Sequence, residues 1–153
     1  MPEPIRRTTA RVVPVNDRGE ALLMLSCDPA RPETTYWCSF GGAVDEGESL
    51  PEAGVRELLE ETGLAVSAAH LGEPFDRAEV RFSYDGATIV NDSTWFAVPL
   101  EADVETLHTD DVTEQILGYR WWSPDELESD GSVNNDRLPS FVRGAIAHVR
   151  GLR

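Results

Sequence analysis

The segment from Ser49 to Gly63 restricts the fold of this chain more than any other part of the sequence. Ser49 is a favourable residue just before a helix, and proline at Pro51 is tolerated in a first helical turn. Gly63 is a favourable residue just after a helix, and Leu58 supplies apolar packing between these two ends. The segment therefore predicts a helix of roughly three turns that packs against the rest of the fold through one face.

Three glutamates of this helix are predicted to share one face. Glu57, Glu60 and Glu61 are spaced i, i+3 and i+4, which brings their carboxylates together near the C-terminal end. Like charges at this spacing and the helix dipole both disfavour this arrangement. A hard divalent cation such as Mg²⁺, which takes oxygen ligands, would compensate for both penalties. A solvated acidic helix face is the alternative interpretation of the cluster taken by itself.

The net charge of −15 bears on the partners of the chain. Proteins that bind nucleic-acid polymers carry a basic face, so this class of partner is excluded. A small anionic substrate would be repelled unless bound cations reversed the local field. The composition therefore agrees with a metal-dependent site for a small molecule.

Length and residue usage predict one domain over residues 1–153. We expect a cytoplasmic protein that does not enter membranes, because the sequence has no apolar run long enough for a membrane span or a signal peptide. Cys27 and Cys38 are expected to be reduced core thiols, which fits that compartment.

The remaining pattern predicts a mixed sheet between helices, an α/β fold. Asp85-Gly86 is a favourable hairpin turn, and the two prolines between Asp28 and Thr35 predict a loop. The predicted strands are Thr8–Asn16, Ala21–Ser26, Ala78–Tyr84, Thr88–Val98 and Gly118–Trp122, and the later helices begin near Ser123 and Pro139.

The string from Gly42 to Leu64 resembles the Nudix box, G-x5-E-x7-R-E-U-x-E-E-x-G-U, in which U is aliphatic. All fixed positions are filled, by Gly42, Glu48, Arg56, Glu57, Leu58, Glu60, Glu61, Gly63 and Leu64. At average residue usage, such a match has a probability on the order of 10⁻⁹ per starting position. The preceding residues, Trp37 to Gly42, are similar to the family's lead-in W-x-x-P-G-G, with Phe40 in place of the proline.

This resemblance implies a Nudix-type α/β/α sandwich and a hydrolase that acts on phosphoric anhydride bonds. Mg²⁺ is the implied metal, with Mn²⁺ as a substitute. Glu60 and Glu61 are the first predicted metal ligands, and Glu57 is a third ligand or the base that activates water. The carbonyl oxygen of Gly42 is a further predicted ligand.

Two more box residues have predicted roles that depend on each other. Arg56 is expected to pair with Glu48 or Glu57 and to orient them. Glu48 is then a ligand through water or a support for the ligands.

A distal base or metal ligand is also implied, on a loop before a late strand. Glu114, seven residues ahead of Trp121, is the predicted residue. Asp110 and Asp111 on the same loop are its rivals, and an ordinary acidic loop is the alternative.

Substrate contacts are predicted at two arginines and two tryptophans: Arg11, Trp37, Arg81 and Trp95. Aromatic residues in strands more often belong to the core, and at most one of Trp95 and Phe96 can face a pocket. The substrate is expected to be a nucleoside diphosphate derivative, of nucleotide-sugar or ADP-ribose type, or a nucleoside triphosphate. A Nudix-like domain that binds or senses a nucleotide without cleaving it is the alternative, and we expect a monomer or a homodimer.

Overall fold

The computed structural model describes residues 2–111 and 115–151. Within this part of the chain, seven strands form one mixed sheet with the order β3-β2-β1-β6-β5, while β4 pairs with β1 and β7 pairs with β2. The strands are β1 (Ile5–Val15), β2 (Ala21–Asp28), β3 (Arg31–Cys38), β4 (Phe40–Ala43), β5 (Asp76–Tyr84), β6 (Ala87–Pro99) and β7 (Ile116–Trp122). The helices are α1 (Leu50–Thr62), α2 (Ala68–Leu71), α3 (Pro124–Asp130) and α4 (Leu138–Gly151), with a 3₁₀ turn at Val104–Thr106.

The sheet is mixed because β1 and β6 run parallel over their full pairing, whereas the other pairs are antiparallel. Side chains alternate between the two faces of a strand. Val13 and Trp95 therefore pack on one face with α4, whereas Val12 and Phe96 pack on the other face with α1. Helices cover both faces, so the predicted α/β sandwich is confirmed.

Helix α1 has the boundaries that its sequence predicted. The Ser49 side chain accepts from the backbone N–H of Glu52, and the Glu52 side chain accepts from that of Ser49, which forms a capping box. Gly63 closes the helix in the left-handed region, at φ 81°, and donates its N–H to the Leu59 carbonyl. Its Cβ-free backbone adopts this conformation at low cost.

The segment from Asp28 to Thr35 differs from its prediction, because strand β3 begins at Arg31 after a two-residue turn. Asp28 Oδ1 accepts from the Ala30 N–H at 2.9 Å and so replaces sheet pairing within the turn. Pro32 is tolerated because β3 is an edge strand, where a missing N–H breaks no ladder bond.

None of the helices in the described part of the chain is both long enough and apolar enough to cross a membrane.

Candidate active site

A cleft of about 410 Å³ opens between two hairpins, β2–β3 and β5–β6, and reaches the C-terminal half of α1. Strand β1 pairs with β2 only at Val15↔Ala21 and with β6 along its whole length. The two hairpins therefore separate from a common base and leave a space between them. Carboxylates of α1 line one part of this space, which we call the carboxylate end, and aromatic side chains of β3 and β5 line another part, which we call the aromatic end.

Glu57 and Glu61, one helical turn apart on α1, line the carboxylate end of the cleft. Glu61 is 2% exposed, and its Oε1 accepts the backbone N–H of Gly41 at 2.8 Å. The Glu57 side chain is 13% exposed. Burial raises the pKa of Glu57 above its usual value, and Arg56 opposes this shift.

Glu60 differs in position from the other two carboxylates. Its side chain is 43% exposed and contacts Arg56 Nη1 at 3.4 Å, and it does not line the cleft. The single face predicted for the three glutamates is thus divided between the cleft and its outer edge. The cause is the helical repeat: Glu61 at i+4 lies nearly above Glu57, whereas Glu60 at i+3 is rotated about the helix axis to the other side of Glu57.

The guanidinium group of Arg56 connects the groups at the carboxylate end of the cleft. Its Nε and Nη2 donate to the two carboxylate oxygens of Glu48 at 2.8 and 3.0 Å. Its Nη1 donates to Glu57 Oε1 at 3.0 Å, and its Nη2 also donates to the Ala43 carbonyl at 3.1 Å. Arg56 was predicted to pair with Glu48 or Glu57; it pairs with both and fixes both carboxylates.

Glu48 is held as an anion by this network. The hydrogen bond from Arg56, followed by that from the Asp45 N–H, lowers the pKa of Glu48 to about 2. Its two oxygens are engaged by protein groups, which agrees with a supporting role for this residue.

Gly41 brings the backbone of β4 close to β1. Its φ is 135°, and a Cβ there would lie 2.1 Å from the Ala10 carbonyl oxygen. Only glycine satisfies both conditions. The Gly41 N–H can therefore reach the buried carboxylate of Glu61.

Two arginines of β1 supply positive charge to the same cleft. Arg7 and Arg11 are four residues apart on a strand and share a face. Arg11 Nη1 donates to the Gly41 carbonyl at 3.2 Å, and Arg7 Nε donates to Asn91 Oδ1 at 3.1 Å. Burial and then the nearby Arg11 lower the pKa of Arg7. Arg11 was predicted as a substrate contact, and Arg7, which the sequence also offers as a partner for outer phosphates, lines the cleft with it.

The other three predicted substrate contacts lie outside the cleft. Trp95 is 3% exposed and stacks on Phe141 with ring centroids 4.0 Å apart, because its face of β6 is covered by α4. Trp37 packs edge-on against Trp122 at 5.2 Å. Arg81 is exposed on edge strand β5 and does not line the cleft.

The neighbours of these residues in the strands face the cleft instead. Tyr36 precedes Trp37, and Phe82 and Tyr84 lie on the opposite side of β5 from Arg81. The sequence shows these aromatics but not which face of each strand they occupy.

The donor atoms at the carboxylate end suit a divalent cation. Glu57, Glu61 and the backbone of Gly42 offer oxygen atoms beside open space, and Mg²⁺ prefers oxygen ligands. In residues 2–111 and 115–151, no three Asp, Glu, His or Cys side chains are already arranged as a complete metal site.

Glu114 lies outside the described residues. On one side of this gap, Thr109 Oγ1 donates to the Glu60 carbonyl at 2.7 Å, and on the other side Gln115 lines the cleft. The rival Asp110 has a side chain that is 97% exposed.

Comparison with known proteins identifies the class to which this fold and cleft belong. The sequence profile of the NUDIX domain matches residues 5–142, and the chain belongs to this family. The chain is 29% identical over 101 residues to dihydroneopterin triphosphate diphosphatase of Escherichia coli K12, a match that covers 60% of the chain and 63% of that relative. The match thus spans less than two thirds of the relative's length.

Two other comparisons agree with this assignment. A putative 8-oxo-dGTP diphosphatase of Bacillus subtilis is 42% identical over 64 residues, which cover 41% of the chain and 40% of that protein. The crystal structure of the MutT protein from Methanosarcina mazei Go1 superposes with a TM-score of 0.70 at 20% identity, over 98% of this chain and 99% of that one. The structural likeness supports the fold.

Proposed function

We propose that this chain is a divalent-metal-dependent hydrolase that cleaves a phosphoric anhydride bond of a small organic triphosphate. The observation that carries the proposal is that one cleft is lined by the carboxylates Glu57 and Glu61, by the arginines Arg7 and Arg11, and by aromatic side chains. A substrate with a polyphosphate chain and a flat organic group carries the chemical groups that these side chains bind.

The side chains of α1 that line the cleft are proposed to act closest to the reacting atoms. A divalent cation held by Glu61 and the Gly42 carbonyl, with Glu60 joining from the outer edge, would neutralise phosphate charge and lower the pKa of bound water. Glu57, which lines the cleft beside these groups, is either a further ligand of the cation or the base that accepts the proton of the attacking water. Arg56 holds Glu57 and Glu48 in place.

The remaining groups bind the two ends of the substrate. Arg7 and Arg11 donate hydrogen bonds to phosphate oxygens, for which guanidinium geometry is well suited. Tyr36, Phe82 and Tyr84 pack against the organic group. The water oxygen bonds to one phosphorus as the bridging P–O bond breaks, which yields two phosphorylated products.

We favour a triphosphate over a nucleotide sugar or an ADP-ribose type of substrate. The relatives from E. coli and B. subtilis are named for dihydroneopterin triphosphate and 8-oxo-dGTP, both heterocyclic triphosphates. A cleft of about 410 Å³ lies near the lower end of the usual range for small-molecule sites, which suits one heterocycle better than two organic groups. We also propose that residues 1–153 form one domain and that Mg²⁺ is the working metal, with Mn²⁺ as a substitute.

A substrate panel tests this proposal directly. The chain is incubated with magnesium and with dGTP, 8-oxo-dGTP, ADP-ribose or a nucleotide sugar, and the products are separated and identified. We expect release of diphosphate and a nucleoside monophosphate from a triphosphate. Binding of these compounds without hydrolysis of any would favour the non-catalytic nucleotide-binding domain, and preferential cleavage of ADP-ribose would correct the substrate class.

A further inference from the structure

The two hairpins that border the cleft meet again at their tips. Asp28, the last residue of β2, accepts the backbone N–H of Asp85 on its Oδ1 at 2.7 Å. The same Oδ1 accepts the Ala30 N–H at 2.9 Å, so one carboxylate oxygen joins both turns. We call the contact of Asp28 with the Asp85 backbone the tip contact.

The tip contact joins elements that the sheet itself does not hold together. Strand β1 lies between β2 and β6 in the strand order, and β3 and β5 are at opposite ends of that order. Asp85 and Gly86 have φ values of 50° and 78°, as in a two-residue type I′ turn. The pairing of β5 with β6 ends at Tyr84↔Ala87, so the Asp85 amide lies within the turn and is available to a partner from elsewhere.

Aromatic side chains of the cleft lie directly beside the tip contact. Tyr84 immediately precedes Asp85, and Tyr36 lies on β3, which is joined to Asp28 by the turn. Burial, with smaller contributions from Cys38 and Tyr84, raises the pKa of Tyr36. Tyr36 and Tyr84 line the cleft from different hairpins, so a change in the separation of the hairpins would move one side chain relative to the other.

We propose that Asp28 is a positioning residue that fixes the width of the aromatic end of the cleft, and so determines how tightly the organic group of the substrate is held. This inference rests on the proposed function for the identity of the ligand. It assigns Asp28 no part in the reaction at phosphorus, because Glu57 and Glu61 line the cleft and Asp28 does not.

The test compares Asp28→Ala, which removes the acceptor, with Asp28→Asn, which keeps an acceptor oxygen at the same place. Asp85→Gly is the matched control, because it retains the N–H donor and the turn conformation. Dissociation constants are measured with magnesium for an α,β-methylene analogue of dGTP and for inorganic tripolyphosphate, which lacks an organic group. Turnover is measured with dGTP, and hydrogen exchange reports on the Asp85 amide.

In Asp28→Ala we expect faster exchange of the Asp85 amide and about tenfold weaker binding of the dGTP analogue. Tripolyphosphate affinity and kcat should stay within roughly twofold of the wild-type values, and the Asn and Gly variants should behave as wild type. Unchanged exchange, or an equal loss of affinity for both ligands, would overturn the proposal. If even the wild-type protein hydrolyses nothing, the proposed function fails, while exchange and the two affinities still decide the role of Asp28.

Discussion

Oε1 of Glu57 lies 2.6 Å from the position that a Cβ atom on Gly42 would take, so the carboxylate rests directly against the Gly42 backbone. Any side chain at residue 42 must displace this carboxylate. The glycine at the start of the box and Glu57, the first of the three clustered glutamates of α1, are thus linked by one contact, although they are fifteen residues apart.

We expect Gly42→Ala to lower kcat by at least about 10²-fold, the scale of losing a group that acts in the transition state. The measurement is steady-state hydrolysis of the best substrate, with the melting temperature as a check of folding. Gly118→Ala on β7 is the control, because a Cβ there meets open space, and it should retain activity. Wild-type kcat in a folded Gly42→Ala protein would show that the Glu57–Gly42 contact is dispensable.

The carboxylates of α1 are predicted to differ in importance according to their positions. Glu57→Gln and Glu61→Gln should each lower kcat by at least about 10²-fold, because both residues line the cleft and the change removes their charge. Glu60→Gln should chiefly raise the magnesium concentration needed for half-maximal rate, since that side chain lies at the outer edge. Glu52→Gln on the same helix is the control, because glutamine preserves a capping box. Equal, near-wild-type rates in all four variants would reduce the cluster to a solvated helix face.

The sequence predicted those parts of the molecule that depend on local interactions. The limits of α1 follow from Ser49 and Gly63, and the β5–β6 turn follows from Asp85-Gly86. The sequence did not predict which side chains of a strand face the core and which face the cleft. Long-range strand pairing and the packing of α4 decide which side of β6 is covered. Trp95 consequently belongs to the core and not to the cleft.

Arg56→Lys tests the network that orients the carboxylates. A single ammonium cannot reproduce the bidentate contact with Glu48 together with the bond to Glu57. We expect kcat to fall by about 10- to 100-fold, the usual effect of removing a group that orients metal ligands. Arg143→Lys is the matched control: its partners on α3, Asp125 and Glu128, lie away from the cleft, and activity should persist. Similar kinetics for the two variants would show that Arg56 does not orient the carboxylates of the site.

Metal removal provides a separate prediction. Exhaustive chelation should abolish hydrolysis and added Mg²⁺ should restore it, because Glu57 and Glu61 would otherwise repel a polyanionic substrate at close range. Mg²⁺ should also raise the melting temperature, since a ligand that binds only the folded state stabilises it, by about 2.7 kcal/mol at a hundred times its Kd. The shift should disappear in a Glu57→Gln/Glu61→Gln double variant. Full turnover after chelation would refute the metal mechanism.

The distal carboxylate is the final prediction, and it concerns the loop that follows Thr109. Thr109 is hydrogen-bonded to the last turn of α1 and Gln115 lines the cleft, so both of these residues lie beside the site. We expect Glu114→Gln to lower kcat strongly while KM stays nearly constant, because a base or ligand for the attacking water contributes mainly in the transition state.

Asp110→Asn and Asp111→Asn provide the comparison on the same loop. Asp110 has a side chain that is 97% exposed, and Asp111 is also exposed, so we expect small effects of both changes. The three single variants are compared under saturating magnesium. A large loss at Asp110 or Asp111 with none at Glu114 would assign the distal role to that aspartate. No loss at any of the three would confine the chemistry to α1, and Glu57 would then remain the one proposed base.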